Sequence, residues 1–331
     1  MKKLIALLSV VLFSFGVAKA GELTITGNAK ASYAIVSSDG TAAAADTAPG
    51  LGISNEFTLG ASGELDNGYT WSYAIDIDSV ESSATNDDAK LTLTTPQGTF
   101  GIFLGEGGLG VDNAGSQSVI ARPSDTSYGE AMTDTFDIDG YDNIQYHTPA
   151  DMLPYGMSIK VGYAPSGNAT AANDFKATGS TPSATAAADT ASSGGISVTA
   201  GGDSVTHYQV KATALPYLDG LTVGADYLEF SGVIDAGEQA PSSGAYYATY
   251  TMGPAVIGYS KSFMDTPVSS ISTEQVENVE NRKYSIGINV NDDLSISYEN
   301  ETSEPTTNTG ATTQYTLEST GLQAAYTMGG M

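Results

Sequence analysis

Lys30, Lys90, Lys160, Lys211 and Lys283 each fall on the polar side of a segment whose side chains alternate between apolar and polar. A second set of charges, Asp112, Arg122, Asp125, Glu130 and Asp134, lies in one long connection that also carries bulky apolar residues. Fixed charges of both signs that face water select by electrostatics and make no bonds. Asp137, Asp139 and Asp142 supply the hard oxygen ligands that Ca²⁺ takes and are the weak candidate metal ligands, although their spacing follows no calcium-loop pattern. Bond-making chemistry finds less support. With no cysteine there is no thiol nucleophile, disulfide or thiolate-bound metal. The two histidines, His147 and His207, adjoin opposite ends of alternating segments, and neither an H-E-x-x-H pair nor a G-x-S-x-G turn before a helix is present. No catalytic residue and no cofactor are therefore expected.

The elements that hold these charges are short and regular. Leu23, Ile25, Gly27, Ala29, Ala31, Tyr33 and Ile35 share one side of the first segment, with Thr24, Thr26, Asn28 and Lys30 on the other. The split recurs in Trp71/Tyr73/Ile75/Ile77 against Asp76/Asp78, in Met157/Ile159/Val161/Tyr163, in Tyr284/Ile286/Ile288/Val290 and in Leu294/Ile296/Tyr298. Fourteen such segments follow residue 20. Short turns containing Asn, Asp or Gly, at 66–68, 96–98, 216–220, 253–254 and 291–293, alternate with the longer polar stretches 39–50, 82–88, 107–141, 165–206, 232–243, 265–281 and 302–313. Sorting of connections by length is the signature of an all-β transmembrane antiparallel up-and-down β-barrel, which satisfies every backbone hydrogen bond within lipid. Segments 99–106 and 314–328 do not hold one phase, which predicts bulges there. An exported surface adhesin of β-sandwich type is the alternative, and a barrel enzyme a more remote one.

Residues 1–20 read as an export signal: Lys2 and Lys3, an apolar run from Leu4 to Val17, and an Ala18-Lys19-Ala20 cleavage site. Cleavage after Ala20 leaves residues 21–331 as one barrel domain. Removing Lys2, Lys3 and Lys19 takes the 12 basic residues to nine, against 38 acids and a formal charge of −26 for the whole chain. That balance excludes a nucleic-acid partner. Nineteen tyrosines argue against disorder and suit membrane interfaces.

The two longest connections differ. Residues 166–206 are rich in Ala, Ser, Thr and Gly and read as an exposed loop, whereas 107–141 carries Leu109, Val111, Val119, Ile120, Met132, Phe136 and Ile138 and must pack against something. Following the fifth segment, its berth is the interior. Gly98-Thr99-Phe100-Gly101 before this loop, and the return through Asp142-Asn143-Ile144-Gln145-Tyr146-His147-Thr148-Pro149, resemble the general diffusion porins of Gram-negative bacteria. The resemblance implies a sixteen-stranded barrel in the outer membrane, a constriction loop after the fifth strand, a homotrimer, and passive diffusion of ions and small hydrophilic solutes through a water-filled channel. It also implies that fourteen segments are an incomplete set at the C-terminal end. Glu106 and Tyr141 stand where relatives often carry arginine. Together with the acid excess, they predict a preference for cations. Lys30 and Lys90 are the expected constriction lysines, opposite the acids of the loop.

Overall fold

Residues that favour extended backbone recur at every second position through most of the chain, and in the computed structural model these stretches are strands. The structure describes residues 22–34, 50–80, 83–105, 109, 116–119, 123, 135, 138, 142–165, 167–168, 201–202, 204–231, 239, 241–265, 276–307 and 316–327. The expected export signal lies outside them. In a first unit, residues 1–107, five strands pair in succession, each antiparallel to the last: β1 (Glu22–Ala34), β2 (Gly50–Glu64), β3 (Thr70–Val80), β4 (Ser83–Thr95) and β5 (Gly98–Leu104).

A second unit, residues 108–331, begins with β6 (Asn143–His147) and β7 (Met157–Ala164). A two-residue ribbon of β8 (Gly167–Asn168) and β9 (Gly201–Gly202) closes part of the next connection. Then follow β10 (Ser204–Ala212), β11 (Leu221–Ser231), β12 (Ser242–Met252), β13 (Ala255–Asp265), β14 (Val276–Asn289), β15 (Leu294–Thr307) and β16 (Leu317–Tyr326). Leaving the ribbon aside, these nine strands form one antiparallel meander in chain order. With the five of the first unit they account for the fourteen alternating segments.

The short turns are built from the residues that suit them. Gly68 takes φ +82° in the β2–β3 turn, where Asn67 Oδ1 accepts from Tyr69 N (3.0 Å). In the β14–β15 turn, Asn291 Oδ1 accepts from the backbone N–H of both Asp293 and Leu294 (2.9 Å each). At the opposite ends the strands run further than the sequence suggests. Parts of the stretches 82–88, 265–281 and 302–313 belong to β4, β14 and β15. Polar residues occupy both faces there, so the alternation that reveals a strand disappears although the pairing continues.

The expected bulges are also elsewhere. β5 pairs with β4, and β16 with β15, without a register shift. The phase of β5 breaks because Phe103 turns to the polar face and lays its ring over Gly101, leaving no room there for a Cβ. In β16 the phase breaks because Glu318 and Thr320 share a face with Leu322. Register shifts occur instead between Asp76 and Ile77 opposite β4, and between Val276 and Asn278 opposite β15.

Burial in the second unit is inverted relative to a water-soluble sheet. On β14 and β15 the polar side chains Asn281, Lys283, Ser285, Ser297, Glu299 and Glu301 are buried, while Tyr284, Ile288 and Tyr298 are exposed. An exposed apolar face on a strand and a buried polar one fit a sheet with lipid outside and a packed hydrophilic interior. Among the described residues no helix is long and apolar enough to cross a membrane.

Candidate functional site

The connection from β5 to β6 touches the polar face of the second unit at two places. Leu109 and Ile138, near its ends, join Ala164, Val205, Leu228, Phe230, Met264 and Val279 in one buried apolar cluster. These wall residues sit toward the long-connection ends of β7, β10, β11, β13 and β14. Gly162 makes the approach possible: a Cβ there would stand 2.7 Å from Leu109 Cδ1 and 3.1 Å from Ile138 Cδ1. Asn143 Nδ2 reaches toward Ile138 O at 3.5 Å, Gln145 Nε2 donates to Asn143 Oδ1 (2.7 Å), and His147 Nε2 donates to Gln145 Oε1 (2.9 Å). The polar side chains of β6 thus form a ladder that ends on the loop.

The second contact is polar. Ser116 Oγ and Ser118 Oγ both donate to Glu299 Oε2, at 2.6 and 2.7 Å, and the backbone N–H of Val119 donates to Ser297 Oγ (2.9 Å). Glu299 and Glu301 are fully buried, and Lys283 Nζ lies 3.7 Å from Glu301 Oε1. Two glycines again form the floor. A Cβ on Gly287 would meet Gln117 O at 3.1 Å, and one on Gly321 would meet Pro123 Cγ at 2.7 Å. Residues 116–119 and 123 therefore lie on the polar face of β14–β16, as the apolar anchors of the connection predicted for a loop folded onto the interior side.

The candidate charges distribute unevenly. Lys90 is on the polar face of β4, half-exposed and 3.7 Å from Asp76 Oδ2. The register places Asp76 opposite Asp88, so two carboxylates and one ammonium share a patch of the first unit. Lys160 and Lys211 are half-buried on the polar face of β7 and β10, and Lys283 is fully buried among the acids of β15. The Lys30 backbone pairs with Ser54 in β1, and its side chain lies outside the described residues. Asp112, Arg122, Asp125, Glu130 and Asp134 lie outside them too, as do Asp137 and Asp139; Asp142 is described and exposed. No group of three or more metal-ligating side chains occurs among the described residues. His207 is buried with Nε2 3.2 Å from Asp226 Oδ2, at hydrogen-bond distance within the wall.

Glu299, Ser297, Ser116 and Ser118 carry the polar contact and were not singled out from the sequence. The signal was present in part: Leu294, Ile296 and Tyr298 fix the outward face of β15, which places Glu299 and Glu301 inward. Nothing in the sequence, however, pairs residue 116 with residue 299.

An up-and-down antiparallel sheet with an exposed apolar face, and a loop after the fifth strand bound to the polar face, defines an outer-membrane channel protein of porin type. The profile of the Gram-negative porin family matches residues 6–291, and the chain belongs to that family. No curated protein matches it by sequence. Among solved structures, OmpF of Salmonella typhi, in complex with daunomycin, is similar with a TM-score of 0.61 at 12% identity, over 93% of this chain and 87% of that one. A porin refined at 1.8 Å gives 0.56 at 14% identity, over 93% and 91%. OmpT of Vibrio cholerae, an outer membrane protein in its trimer form, gives 0.52 at 15%, over 94% and 86%. At such identities the fold is what is shared.

Proposed function

We propose that the chain forms a water-filled channel in the bacterial outer membrane for passive diffusion of ions and small hydrophilic solutes, with a modest preference for cations. The observation that carries this reading is the polar contact of the loop: residues 116–119 bound through Glu299 and Ser297 to a polar sheet face whose reverse is apolar and exposed. A loop held there narrows a hydrophilic passage without closing it. On the described polar faces the acids Glu64, Asp76, Asp88, Asp226, Glu299 and Glu301 outnumber Lys90, Lys160, Lys211 and Lys283 by two, and the whole chain carries −26. Both favour counter-cations in a confined channel. The mechanism is selection by width and charge; it transforms no substrate and uses no cofactor. Export would proceed by cleavage after Ala20, and assembly as a homotrimer is supported by the trimer form of OmpT.

Single-channel recording in a planar bilayer tests this. Stepwise conductance with a reversal potential on the cation side in a salt gradient is expected, falling toward zero as salt screens the field over about 10 Å at 0.1 M and less above it. A surface adhesin would give no steps, and an anion-side potential would overturn the charge assignment.

A further inference from the structure

His207 is a fully buried titratable side chain that the channel reading leaves unused. Strand register puts it directly opposite Gly162 on β7 and Leu228 on β11, and Val205 lies two residues earlier on the same face of β10. Gly162 is the floor on which Leu109 and Ile138 rest, and Leu228 and Val205 belong to the same apolar cluster as those two anchors. The imidazole therefore sits beneath the apolar foothold of the loop.

Only one of its nitrogens is satisfied. Nε2 lies 3.2 Å from Asp226 Oδ2, and a carboxylate can only accept, so Nε2 carries the hydrogen. Nδ1 is buried and has no hydrogen-bond partner among the described residues. In the neutral ring it is a bare lone pair against apolar side chains. Protonation makes it a charged donor without an acceptor, a far costlier group to bury. Asp226 stabilises the imidazolium whether the loop is down or lifted, whereas water reaches the Nδ1–H only once Leu109 and Ile138 have moved. Protonation and docking of the loop therefore oppose each other.

The other charges around the ring do not cancel this effect. On the flanking polar faces the titratable groups are Asp226 on β11, Lys160 on β7, Lys211 on β10 itself and His147 on β6. Lys160 is opposite Gln209, the next residue on the His207 face, and is itself opposite His147. Both lysines repel an imidazolium, and Asp226 alone attracts it. From the loop, the described residues over Gly162 are Leu109 and Ile138, which carry no charge.

We propose that His207 is an acid-operated latch for the loop: the neutral ring lets Leu109 and Ile138 seat over Gly162, and its protonation unseats them and widens the channel. Imidazoles change charge between about pH 5 and 8. The foothold is at full strength above that range, where the ring is neutral, and weakens as pH falls through it. The latch rests on the porin reading and adds a control to it.

Single-channel recording of the full chain in a planar bilayer at fixed salt, from about pH 8 down to about pH 5, tests this. Wild type should spend about tenfold more of its open time at a larger conductance at the acid end, the scale of one unsatisfied buried donor. His207→Gln keeps a side-chain N–H for Asp226 but takes up no proton, and its conductance should be indifferent to pH over this range. Asp226→Asn removes the one charge that favours the imidazolium and should move the acid response to lower pH. His147→Gln, which removes the chain's other imidazole, should keep the response. A response that survives His207→Gln, or that His147→Gln abolishes, overturns the latch, and so does acid that narrows the wild-type channel. If His207→Gln does not assemble, Asp226→Asn decides: a response at unchanged pH overturns the proposal. A wild type that conducts at about pH 8 without an acid response sinks the latch and keeps the porin reading, whereas one that never conducts removes that reading too.

Discussion

At one foothold of the long connection, Leu109 and Ile138 bury into an apolar cluster over Gly162; at the other, Ser116, Ser118 and Val119 hydrogen-bond to Glu299 and Ser297. The first works through area removed from water, is non-directional and tolerates small displacements. The second works through directed bonds to one carboxylate oxygen and fixes the segment to within a fraction of an ångström. The apolar foothold therefore keeps the loop on the wall, and the polar one sets where its middle lies. A loop anchored by apolar contacts throughout would put a greasy surface into a water passage, so the middle has to be held by polar groups.

Removing the apolar foothold should have the largest effect. Leu109→Ala with Ile138→Ala deletes two buried anchors at a cost of about 2–5 kcal/mol each. Single-channel conductance should rise, and the loop should become accessible to protease in intact cells. Unchanged conductance would break the assignment of this foothold.

The polar foothold comes next. Glu299→Ala removes the acceptor shared by Ser116 and Ser118, whereas Glu299→Gln keeps an oxygen but loses the charge, exchanging bonds of about 1.5–3 kcal/mol for ones of about 0.5–1.5. Conductance should rise more for Ala than for Gln. The chain has no cysteine, so a Gln117→Cys probe labels without background; its reactivity should rise in the order wild type, Gln, Ala. Equal reactivity in all three would mean that the apolar foothold alone positions the middle of the loop.

Glycines beneath the loop give a smaller, graded effect. Gly321→Val drives atoms into Pro123, from which even a Cβ would be only 2.7 Å, at a cost of about 1–3 kcal/mol for overpacking. Gly287→Ala meets Gln117 at the milder distance of 3.1 Å. The two should shift conductance in that order, and the reverse order would place the loop differently.

Lys90→Gln should change least in stability, because it removes only a pair with Asp76 in which the lysine is half-exposed, and such pairs contribute about 0–1 kcal/mol. It should nonetheless move the reversal potential further to the cation side. No movement would remove Lys90 from the conducting path.

Much of this molecule follows from side-chain period alone. Leu294, Ile296 and Tyr298 against Ser297, Glu299 and Glu301 declare both a strand and its two faces, since a pleated chain sends alternate residues to opposite sides. The same rule found the β4, β7, β10 and β14 lysines on the polar face, and Asn67, Gly68 and Asn291 announced tight turns through local backbone preference. Local rules stop where both faces are wet: the ends of β14 and β15, with Glu280, Thr302 and Glu304, read as loop because no period distinguishes them. They stop also at β5, where a phenylalanine lying on Gly101 mimics a bulge.

The anchors Leu109 and Ile138 showed by composition that the loop must pack, because exposed apolar side chains in a polar connection are costly. Where it packs is a different kind of fact. Ser116 meets Glu299 across 183 positions of sequence, and the floor for Gln117 and Pro123 is two glycines on separate strands. No periodicity links such residues; strand pairing across the whole second unit brings them together, and only the folded sheet decides that this carboxylate, rather than another of the chain's 38 acids, holds the loop.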